Sequence, residues 1–233
     1  MQLAIVGLGR MGGNMARRLV ERGHQVVGYS RTRTTVDEYI PYGITPAYSP
    51  QEVVERLSSP RVVWFMYPAG EPTENAIFEF APLLQPGDLV VNGANSFYKD
   101  SMRYAERLQE YGIHFADVGV SGGVWGLENG YGLMAGGTHE VIARLEPILR
   151  DLAPAPDKGW VHVGPVGAGH YAKMIHNGIE YAIMQAYAEG FELLRRKEAF
   201  EIDLAAVSEA WRHGTVIRSW LLDLIAGFLQ EDQ

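Results

Sequence analysis

The sequence has no cysteine, no long hydrophobic run and no surplus of positive charge. Its 233 residues without cysteine exclude disulfide bonds and thiolate catalysis. The formal net charge of −8 argues against a broad nucleic-acid interface or a polybasic membrane surface, although a local positive cluster can still bind a small anion. The N-terminus lacks the basic and apolar regions of a signal peptide, and no apolar run reaches transmembrane length. We therefore expect a cytoplasmic protein that binds neither nucleic acid nor membrane.

Short β-rich runs alternate with helical stretches over the first two thirds of the chain. This alternation predicts an α/β fold in which βαβ units build a Rossmann-type, doubly wound parallel sheet with helices on both faces. Between the strands we predict helices such as Met11 to Glu21 and Lys99 to Glu110. The predicted strands are Leu3 to Val6, Gln25 to Tyr29, Arg61 to Met66, Asp88 to Asn92, His114 to Val118, Leu133 to Gly137 and Trp160 to Val163.

After Gly164 the composition becomes helical, and we place a domain boundary there, between residues 1–164 and 165–233. The second, all-helical domain is predicted to hold one long helix from about Ala168 to Lys197, then Leu204 to Arg212 and Val216 to Leu229. So long a helix cannot bury its apolar stripe against two short partners. We therefore expect a homodimer in which the long helices complete each other's core. The alternative is a monomer whose long helix lies against the first domain.

A glycine-rich turn at the N-terminus predicts a dinucleotide site. It follows an apolar strand and opens a helix, which is the context that the G-x-G-x-x-G motif requires. The glycines allow a tight turn, close approach of backbone N–H groups to a pyrophosphate, and close packing of helix on strand. The pyrophosphate would then lie at the positive end of the helix. The predicted cofactor contacts here are Gly7, Leu8, Gly9, Arg10, Met11 and Gly12.

The end of the second strand bears on the choice between NADP and NAD. NAD enzymes usually carry an acidic residue there, which binds the ribose 2′-hydroxyl. Here Ser30, Arg31 and Thr32 occupy that place, and Arg33 follows. Because a 2′-phosphate prefers a guanidinium and small donors, these residues predict NADP. Under the alternative, Arg31 and Arg33 are solvated residues at a helix start and the cofactor is NAD.

Four polar residues share one face of the predicted long helix. Lys173, His176, Asn177 and Glu180 are spaced i, i+3, i+4 and i+7. Taken alone, this pattern is equally typical of a solvated charged face. Two further segments, 92–96 and 117–123, follow predicted parallel strands, where such sheets hold their ligands, although each alone could be an ordinary turn.

Several of these motifs together resemble one enzyme family. The N-terminal Gly-Leu-Gly-x-Met-Gly is similar to that of the β-hydroxyacid dehydrogenases. Within that superfamily, residues 119–126, 167–170, 173–181 and 211–219 resemble decarboxylating 6-phosphogluconate dehydrogenase, and residues 124–131 resemble its short bacterial form. The Lys-x-x-His-Asn-Gly-x-Glu stretch is the most specific of these motifs, because simpler members keep the lysine without the rest.

The resemblance implies oxidative decarboxylation of 6-phosphogluconate to ribulose 5-phosphate, with NADP, or else NAD, reduced and without a metal. It implies that Lys173 is the general base and then the acid, and that Glu180 protonates C1 of the enediol. By the same resemblance, Asn95 contacts both cofactor and substrate. The implied substrate contacts are Ser121, Gly122, Gly123, His176 and Asn177 near the carboxylate and hydroxyls, with Tyr181 and Arg218 at the phosphate.

Two other functions remain open from the sequence. A simpler β-hydroxyacid dehydrogenase, acting on a small acid such as 3-hydroxyisobutyrate, would use the same lysine and the same Ser-Gly-Gly. A catalytically inactive cofactor-binding protein is the other alternative, because the resemblance implies further helix beyond Gln233 and a tail that reaches the partner's active site. The resemblance also leaves open a homotetramer in place of a homodimer.

Overall fold

A computed structural model describes residues 1–231, which form two compact units. The first unit comprises Met1–Met174, and the second begins at Ile175. The division falls inside the long helix that follows the last strand. Our predicted domain boundary after Gly164 lies earlier, at the end of that strand, and stays a prediction. Each unit is described below by itself.

The first unit is built on an eight-stranded sheet in the order β3-β2-β1-β4-β5-β6-β7-β8. The first six strands have the order 3-2-1-4-5-6 of the doubly wound dinucleotide-binding fold. All of their pairings are parallel, for example Ile5 beside Gly28 and Trp64. The strands are β1 (Gln2–Val6), β2 (Gln25–Tyr29), β3 (Thr45–Ala47), β4 (Val62–Phe65), β5 (Leu89–Asn92), β6 (His114–Ser121), β7 (Gly132–Gly136) and β8 (Trp160–Gly164).

Helices cover both faces of this sheet, so the strands are apolar on both sides. One core cluster joins the sheet to α1 and α7 through side chains such as Leu19 and Leu145. The other joins it to α3, α4 and α5 through side chains such as Ile77 and Tyr104. The helices of this unit are α1 (Arg10–Glu21), α2 (Arg33–Asp37), α3 (Pro50–Arg56), α4 (Glu71–Phe80), α5 (Tyr98–Gln109), α6 (Gly126–Asn129), α7 (His139–Leu152) and the start of α8 (Ala168–Arg196).

The predicted α/β class and the Rossmann-type sheet are confirmed, but the sheet is not parallel throughout. Strand β7 pairs antiparallel with β6, with Val118 opposite Ala135. The physical reason is the short connection between them, because a parallel partner needs a longer crossover. Strand β3 was not predicted, since it is a three-residue edge strand that contains Pro46.

The second unit holds the rest of α8, with α9 (Leu204–Arg212) and α10 (Trp220–Glu231). The predicted start of the last helix at Val216 is wrong. The Ser219 hydroxyl accepts a hydrogen bond from Leu222 N at 3.1 Å, so Ser219 caps α10 and the helix begins after it. Among residues 1–231, no helix is both long and apolar enough to cross a bilayer.

Candidate active site

The predicted cofactor and substrate loops of the first unit lie at one edge of the sheet. Strands β1, β2, β4, β5 and β6 run parallel, so the segments that follow them emerge on the same side. The strand order reverses between β1 and β4, and sheets of this kind bind their ligands at such a point. The geometry of this edge therefore decides which of the predicted residues can act together.

The glycine-rich turn after β1 has the shape that a pyrophosphate requires. Gly7 has a φ of 105°, and its N–H donates to Tyr29 O at 2.8 Å. A Cβ on Gly12 would lie only 2.0 Å from Gly7 O, so helix and strand touch there. A Cβ on Gly9, by contrast, would meet no heavy atom of the described chain within 4 Å. Gly9 is the N-cap residue of α1, and no side chain within residues 1–231 caps the first turn of this helix, so an anion can approach its N–H groups.

Ser30 and Arg31 line the same turn from the end of β2. The Ser30 hydroxyl accepts a hydrogen bond from Leu8 N at 3.2 Å, which joins this segment to the glycine turn. The exposed Arg31 guanidinium lies 5.4 Å from the centre of the Tyr67 ring. Burial raises the pKa of Tyr67 to about 12, so this ring stays neutral beside the arginine. Arg31 is therefore exposed directly after the residue that joins the end of β2 to the glycine turn.

Arg33 also lies near a tyrosine ring and remains exposed. Its guanidinium lies 4.2 Å from the centre of the Tyr48 ring and 3.9 Å from Asp37. The Tyr48 hydroxyl donates to Asp37 at 2.6 Å, which raises the pKa of Tyr48. Thr32 stands before Arg33, at the start of α2. Both arginines are thus exposed, and each lies near a tyrosine ring.

Asn95 joins the segment after β5 to the end of β6. Its side-chain amide donates to Val120 O at 2.9 Å and accepts from Val120 N at 2.8 Å. The residue adopts a positive φ of 50°, which asparagine tolerates better than most residues. Because Val120 directly precedes Ser121, this bridge places Asn95 beside the Ser121–Gly123 segment. Gly122 and Gly123 also have positive φ values, of 131° and 55°, so side chains would strain this turn.

A buried carboxylate anchors the start of α8. Asp117 lies in β6 and is fully buried, and its two oxygens accept hydrogen bonds from Gly167 N at 2.6 Å and His170 N at 2.7 Å. Negative charge at a helix N-terminus is stabilised by the unpaired N–H groups and the helix dipole. Asp117 therefore fixes the turn of α8 that immediately precedes Lys173.

Glycines let this turn of α8 rest directly on the sheet. A Cβ on Gly119 of β6 would lie 2.4 Å from the Lys173 Cβ. A Cβ on Gly169 would lie 2.4 Å from Met134 O and 2.5 Å from Asp117 O, so neither glycine can gain a side chain without a shift. Lys173 is only 5% exposed, which is unusual for a lysine without a specific role.

His170 fills the space between α8 and α5. The imidazole is 1% exposed, and its Nδ1 lies 2.7 Å from the Ser101 hydroxyl. Burial lowers the pKa of His170 and outweighs the opposing effect of the Asp117 carboxylate. The ring is therefore neutral at pH 7 and packs α8 onto its neighbours without a buried charge.

In the second unit, α8 carries the remaining polar residues of the predicted site. The His176 Nδ1 lies 3.6 Å from the Glu180 carboxylate and 3.5 Å from the Asn177 amide oxygen, so the predicted shared face is present for these three residues. Tyr181, which follows, is 71% exposed. Arg218 is also exposed, in the segment between α9 and α10.

Tyr187 holds that last segment in place. Its hydroxyl donates to Ile217 O and lies 2.8 Å from the Ser219 hydroxyl, so both neighbours of Arg218 are tied to α8. Sequence reasoning gave no role to Tyr187, Asp117 or His170. The available signals were weak: an aspartate inside an apolar strand, a histidine after Gly-x-Gly, and a tyrosine on a helix rich in aromatic residues.

Comparison with known proteins identifies the family of this chain. A family model described as the NAD binding domain of 6-phosphogluconate dehydrogenase matches residues 2–192. The chain belongs to the 6-phosphogluconate dehydrogenase family. A putative 6-phosphogluconate dehydrogenase of Bacillus subtilis, YqeC, is 42% identical over 96% of this chain and 74% of its own length. An NAD(+)-dependent, decarboxylating 6-phosphogluconate dehydrogenase of Haloferax volcanii is 41% identical over 100% of this chain and 76% of its own.

Solved structures of the family and of its wider superfamily share the fold. The Plasmodium falciparum 6-phosphogluconate dehydrogenase superposes with a TM-score of 0.90 at 26% identity, over 98% of this chain and 51% of that one. A 3-hydroxyisobutyrate dehydrogenase of Mycobacterium tuberculosis gives 0.80, also at 26% identity, over 94% of this chain and 72% of that one. This family member is thus an oxidoreductase with an NAD(P)-binding domain.

Proposed function

We propose that the chain catalyses the oxidative decarboxylation of 6-phosphogluconate to ribulose 5-phosphate and CO2. The observation that carries this proposal is the burial of Lys173 against Gly119 of β6, just before Ser121–Gly123 and at the dinucleotide edge of the sheet. A lysine held there has its ammonium or amine group within a confined space rather than in solvent. The Haloferax volcanii relative, which is 41% identical, is named a decarboxylating 6-phosphogluconate dehydrogenase.

Lys173 is the base of the oxidation step. Its neutral amine accepts the proton of the substrate C3 hydroxyl, and the C3 oxygen becomes a ketone. A nicotinamide dinucleotide, held by the glycine turn after β1 and the first turn of α1, would supply the hydride acceptor for C3. Asn95 and the Ser121–Gly123 turn hold the carboxylate end of the substrate, so that the C3 hydroxyl faces Lys173.

In the decarboxylation step, Lys173 acts as the acid. Its ammonium donates a proton to the C3 oxygen as the bond to the carboxylate carbon breaks, which leaves CO2 and an enediol. Glu180 then donates a proton to C1 of the enediol, and Lys173 takes back the proton of the neighbouring hydroxyl, giving the ketose. Return of one proton from Lys173 to Glu180 restores both groups. No metal is needed in this scheme, because the ammonium polarises the ketone.

The residues of the second unit bind the rest of the substrate. His176 and Asn177 share a face with Glu180 and offer donors to the substrate hydroxyls. Arg218 and Tyr181 bind the phosphate, for which an exposed guanidinium is well suited. Tyr187 supports this role because it fixes the backbone on both sides of Arg218.

We propose NADP as the preferred cofactor. Arg31 and the hydroxyl residues Ser30 and Thr32 stand where an NAD enzyme would carry a carboxylate. The Haloferax volcanii relative is named NAD(+)-dependent, so NAD is the competing cofactor. Comparing the two dinucleotides in wild type and in an Arg31→Ala variant separates these cases, since loss of a 2′-phosphate contact weakens NADP alone.

We also propose a homodimer formed through α8. Ile175, Ile179 and Ile183 recur at i, i+4 and i+8 on this helix and are 47%, 58% and 39% exposed. Such an apolar stripe on a soluble protein is usually covered by a partner. Sedimentation of wild type and an Ile179→Glu variant tests this proposal, because the charge would disrupt a buried interface.

The decisive experiment follows NADPH and NADH formation with 6-phosphogluconate and with 3-hydroxyisobutyrate, while released CO2 is trapped. Stoichiometric NADPH and CO2 from 6-phosphogluconate is the expected result. Turnover of 3-hydroxyisobutyrate alone would favour the simpler dehydrogenase. Tight NADPH binding without turnover of either acid would favour a cofactor-binding protein.

A further inference from the structure

Arg18 is a buried arginine to which the proposed reaction assigns no role. It lies on α1 and is only 3% exposed. Its guanidinium donates to Leu127 O at 2.9 Å, to Asp151 O at 3.0 Å and to Ala153 O at 2.7 Å. These three acceptors, and Glu128 O at 3.4 Å, are backbone carbonyls more than a hundred residues away in the sequence. A buried charge that reaches so many distant carbonyls has a specific structural task.

The acceptors belong to the ends of two helices. Leu127 lies in the short helix α6, and Asp151 and Ala153 lie at the end of α7. The last carbonyls of a helix lack intrahelical partners and carry partial negative charge. One guanidinium therefore satisfies both helix ends and joins them to α1.

Residues 122–130, here called the substrate segment, begin within the Ser121–Gly123 turn and include α6. A helix of four residues has little stability of its own, so this segment depends on tertiary contacts. Arg18 supplies one such contact. Asn14, one turn earlier on the same face of α1, supplies another by donating to Val124 O at 3.1 Å.

We propose that Arg18 is a positioning residue, which fixes the substrate segment to the dinucleotide-binding helix and thereby sets the affinity for the anionic substrate. The proposal rests on the proposed function, because it takes Ser121–Gly123 as the carboxylate contacts. The N-terminus of α1 receives the pyrophosphate, while its Asn14–Arg18 face holds the substrate segment. One rigid element thus fixes the relative placement of cofactor and substrate.

Arg144 provides a matched control at the amino ends of the strands, on the side of the sheet opposite to the proposed site. Its guanidinium also donates to three backbone carbonyls, those of Gly87 at 2.9 Å, Pro60 at 2.6 Å and Arg61 at 2.7 Å. Burial lowers the pKa of both arginines. The acceptors of Arg144 lie before β4 and β5, at the amino ends of these strands, so its loss costs stability far from the proposed site.

The experiment compares Arg18→Lys with Arg144→Lys in the full chain. A lysine cannot reproduce the planar fork that reaches several carbonyls at once. We expect hydrogen exchange of residues 123–129 to accelerate about tenfold in Arg18→Lys, the effect of losing one or two charge-assisted hydrogen bonds. The KM for 6-phosphogluconate should rise by a similar factor, with kcat and the NADPH Kd nearly unchanged. Arg144→Lys should show neither effect, although its thermal stability also falls.

Equal exchange in the two variants, or an equal rise in KM, would overturn the proposal, because Arg18 would then act through global stability alone. If Arg18→Lys does not fold, Asn14→Ala removes a single contact and should give a smaller change in the same direction. Wild type that neither binds nor turns over 6-phosphogluconate would refute the proposed function instead. The exchange comparison would then decide by itself whether Arg18 positions the segment.

Discussion

Two substitutions in the glycine-rich turn should separate the folding role of one glycine from the binding role of another. In Gly12→Ala the new methyl would lie 2.0 Å from Gly7 O, where ordinary contact begins near 3.4 Å. The methyl would be attached to the backbone of α1 and would meet the backbone oxygen of Gly7, so no side chain could turn away to relieve the clash. The helix α1 and the end of β1 would therefore have to separate by about 1 Å or more. In Gly9→Ala the methyl would point into open space beside the first turn of α1, and the φ of −69° suits alanine.

Gly12→Ala should mainly lower the free energy of unfolding, whereas Gly9→Ala should mainly weaken dinucleotide binding. Overpacking costs about 1–3 kcal/mol when side chains can move, so we expect Gly12→Ala to lose about 3 kcal/mol or more in free energy of unfolding. For a unit of this size that loss lowers Tm by roughly 10 °C. Gly9→Ala should lose less than about 1 kcal/mol, since alanine is only a somewhat poorer N-cap than glycine. Its methyl would instead block one or two N–H contacts to the pyrophosphate, which weakens the dinucleotide Kd roughly tenfold to a hundredfold.

Thermal unfolding of the apo protein and calorimetric titration with NADPH measure the two effects separately. Gly9→Ala should keep its Tm and lose affinity, whereas Gly12→Ala should lose both. A Gly9→Ala variant that binds NADPH as tightly as wild type would refute the placement of the pyrophosphate at α1. A fully stable Gly12→Ala variant would refute the close packing of α1 on β1.

The remaining predictions concern the start of α8 and the proposed chemistry. Lys173→Met should abolish turnover while leaving NADPH binding intact, and persistent turnover would remove Lys173 as the base. Glu180→Gln should reduce ketose formation by about 10²–10⁴-fold, the usual contribution of a general acid, with a much smaller change in substrate Kd. Gly119→Ala should destabilise the protein and slow turnover because its methyl would meet Lys173, whereas Gly132→Ala, whose nearest neighbour would lie 3.7 Å away, should do neither; equal melting curves would contradict this. The pKa of His170 is lowered in the folded state, so below about pH 6.5 the unfolded chain binds a proton that the folded chain resists, and stability should fall as the pH falls. The stability difference between wild type and His170→Asn, measured by urea unfolding, should therefore shrink from about pH 7.5 to about pH 5, and a constant difference would show that folding does not lower the pKa of His170.

Local patterns predicted most of the fold and the parts of the site that lie on single motifs. The glycine turn predicted strand β1, helix α1 and a cofactor site between them, because Gly7 and Gly12 contact each other within that one turn. The i, i+3, i+4 and i+7 spacing likewise predicted the face shared by His176 and Glu180, since a helix fixes that relation. Strand β7 was predicted at Leu133 to Gly137, but its antiparallel direction was missed, because a hydrophobic run does not encode direction.

The residues that sequence reasoning missed act across long separations. Asp117 caps a helix that begins some fifty residues later, and Arg18 reaches carbonyls at Leu127 and Ala153. Neither pairing leaves a spacing that a window along the chain could detect, because each depends on how strands and helices assemble. The groups that Asp117 and Arg18 bind are backbone N–H groups and carbonyls. Because almost every residue carries these groups, the residue type at the bound position gives no signal in the sequence.

In the proposed reaction Lys173 transfers protons in both the oxidation and the decarboxylation step, and these long-range contacts hold the start of its helix in place. The proposed mechanism requires Lys173 to keep one position while the substrate changes from alcohol to ketone to enediol, so the start of α8 has to be held against the sheet. Asp117 accepts hydrogen bonds from the first turn of α8, and Gly119 leaves room for the first carbons of the Lys173 side chain against β6. Asn95 ties the neighbouring turn to the same strand by two hydrogen bonds. Strand β6 therefore positions both the proposed base and the proposed substrate contacts. Its contacts with α8 are buried, so this geometry does not depend on solvent-exposed ion pairs, which contribute little to stability.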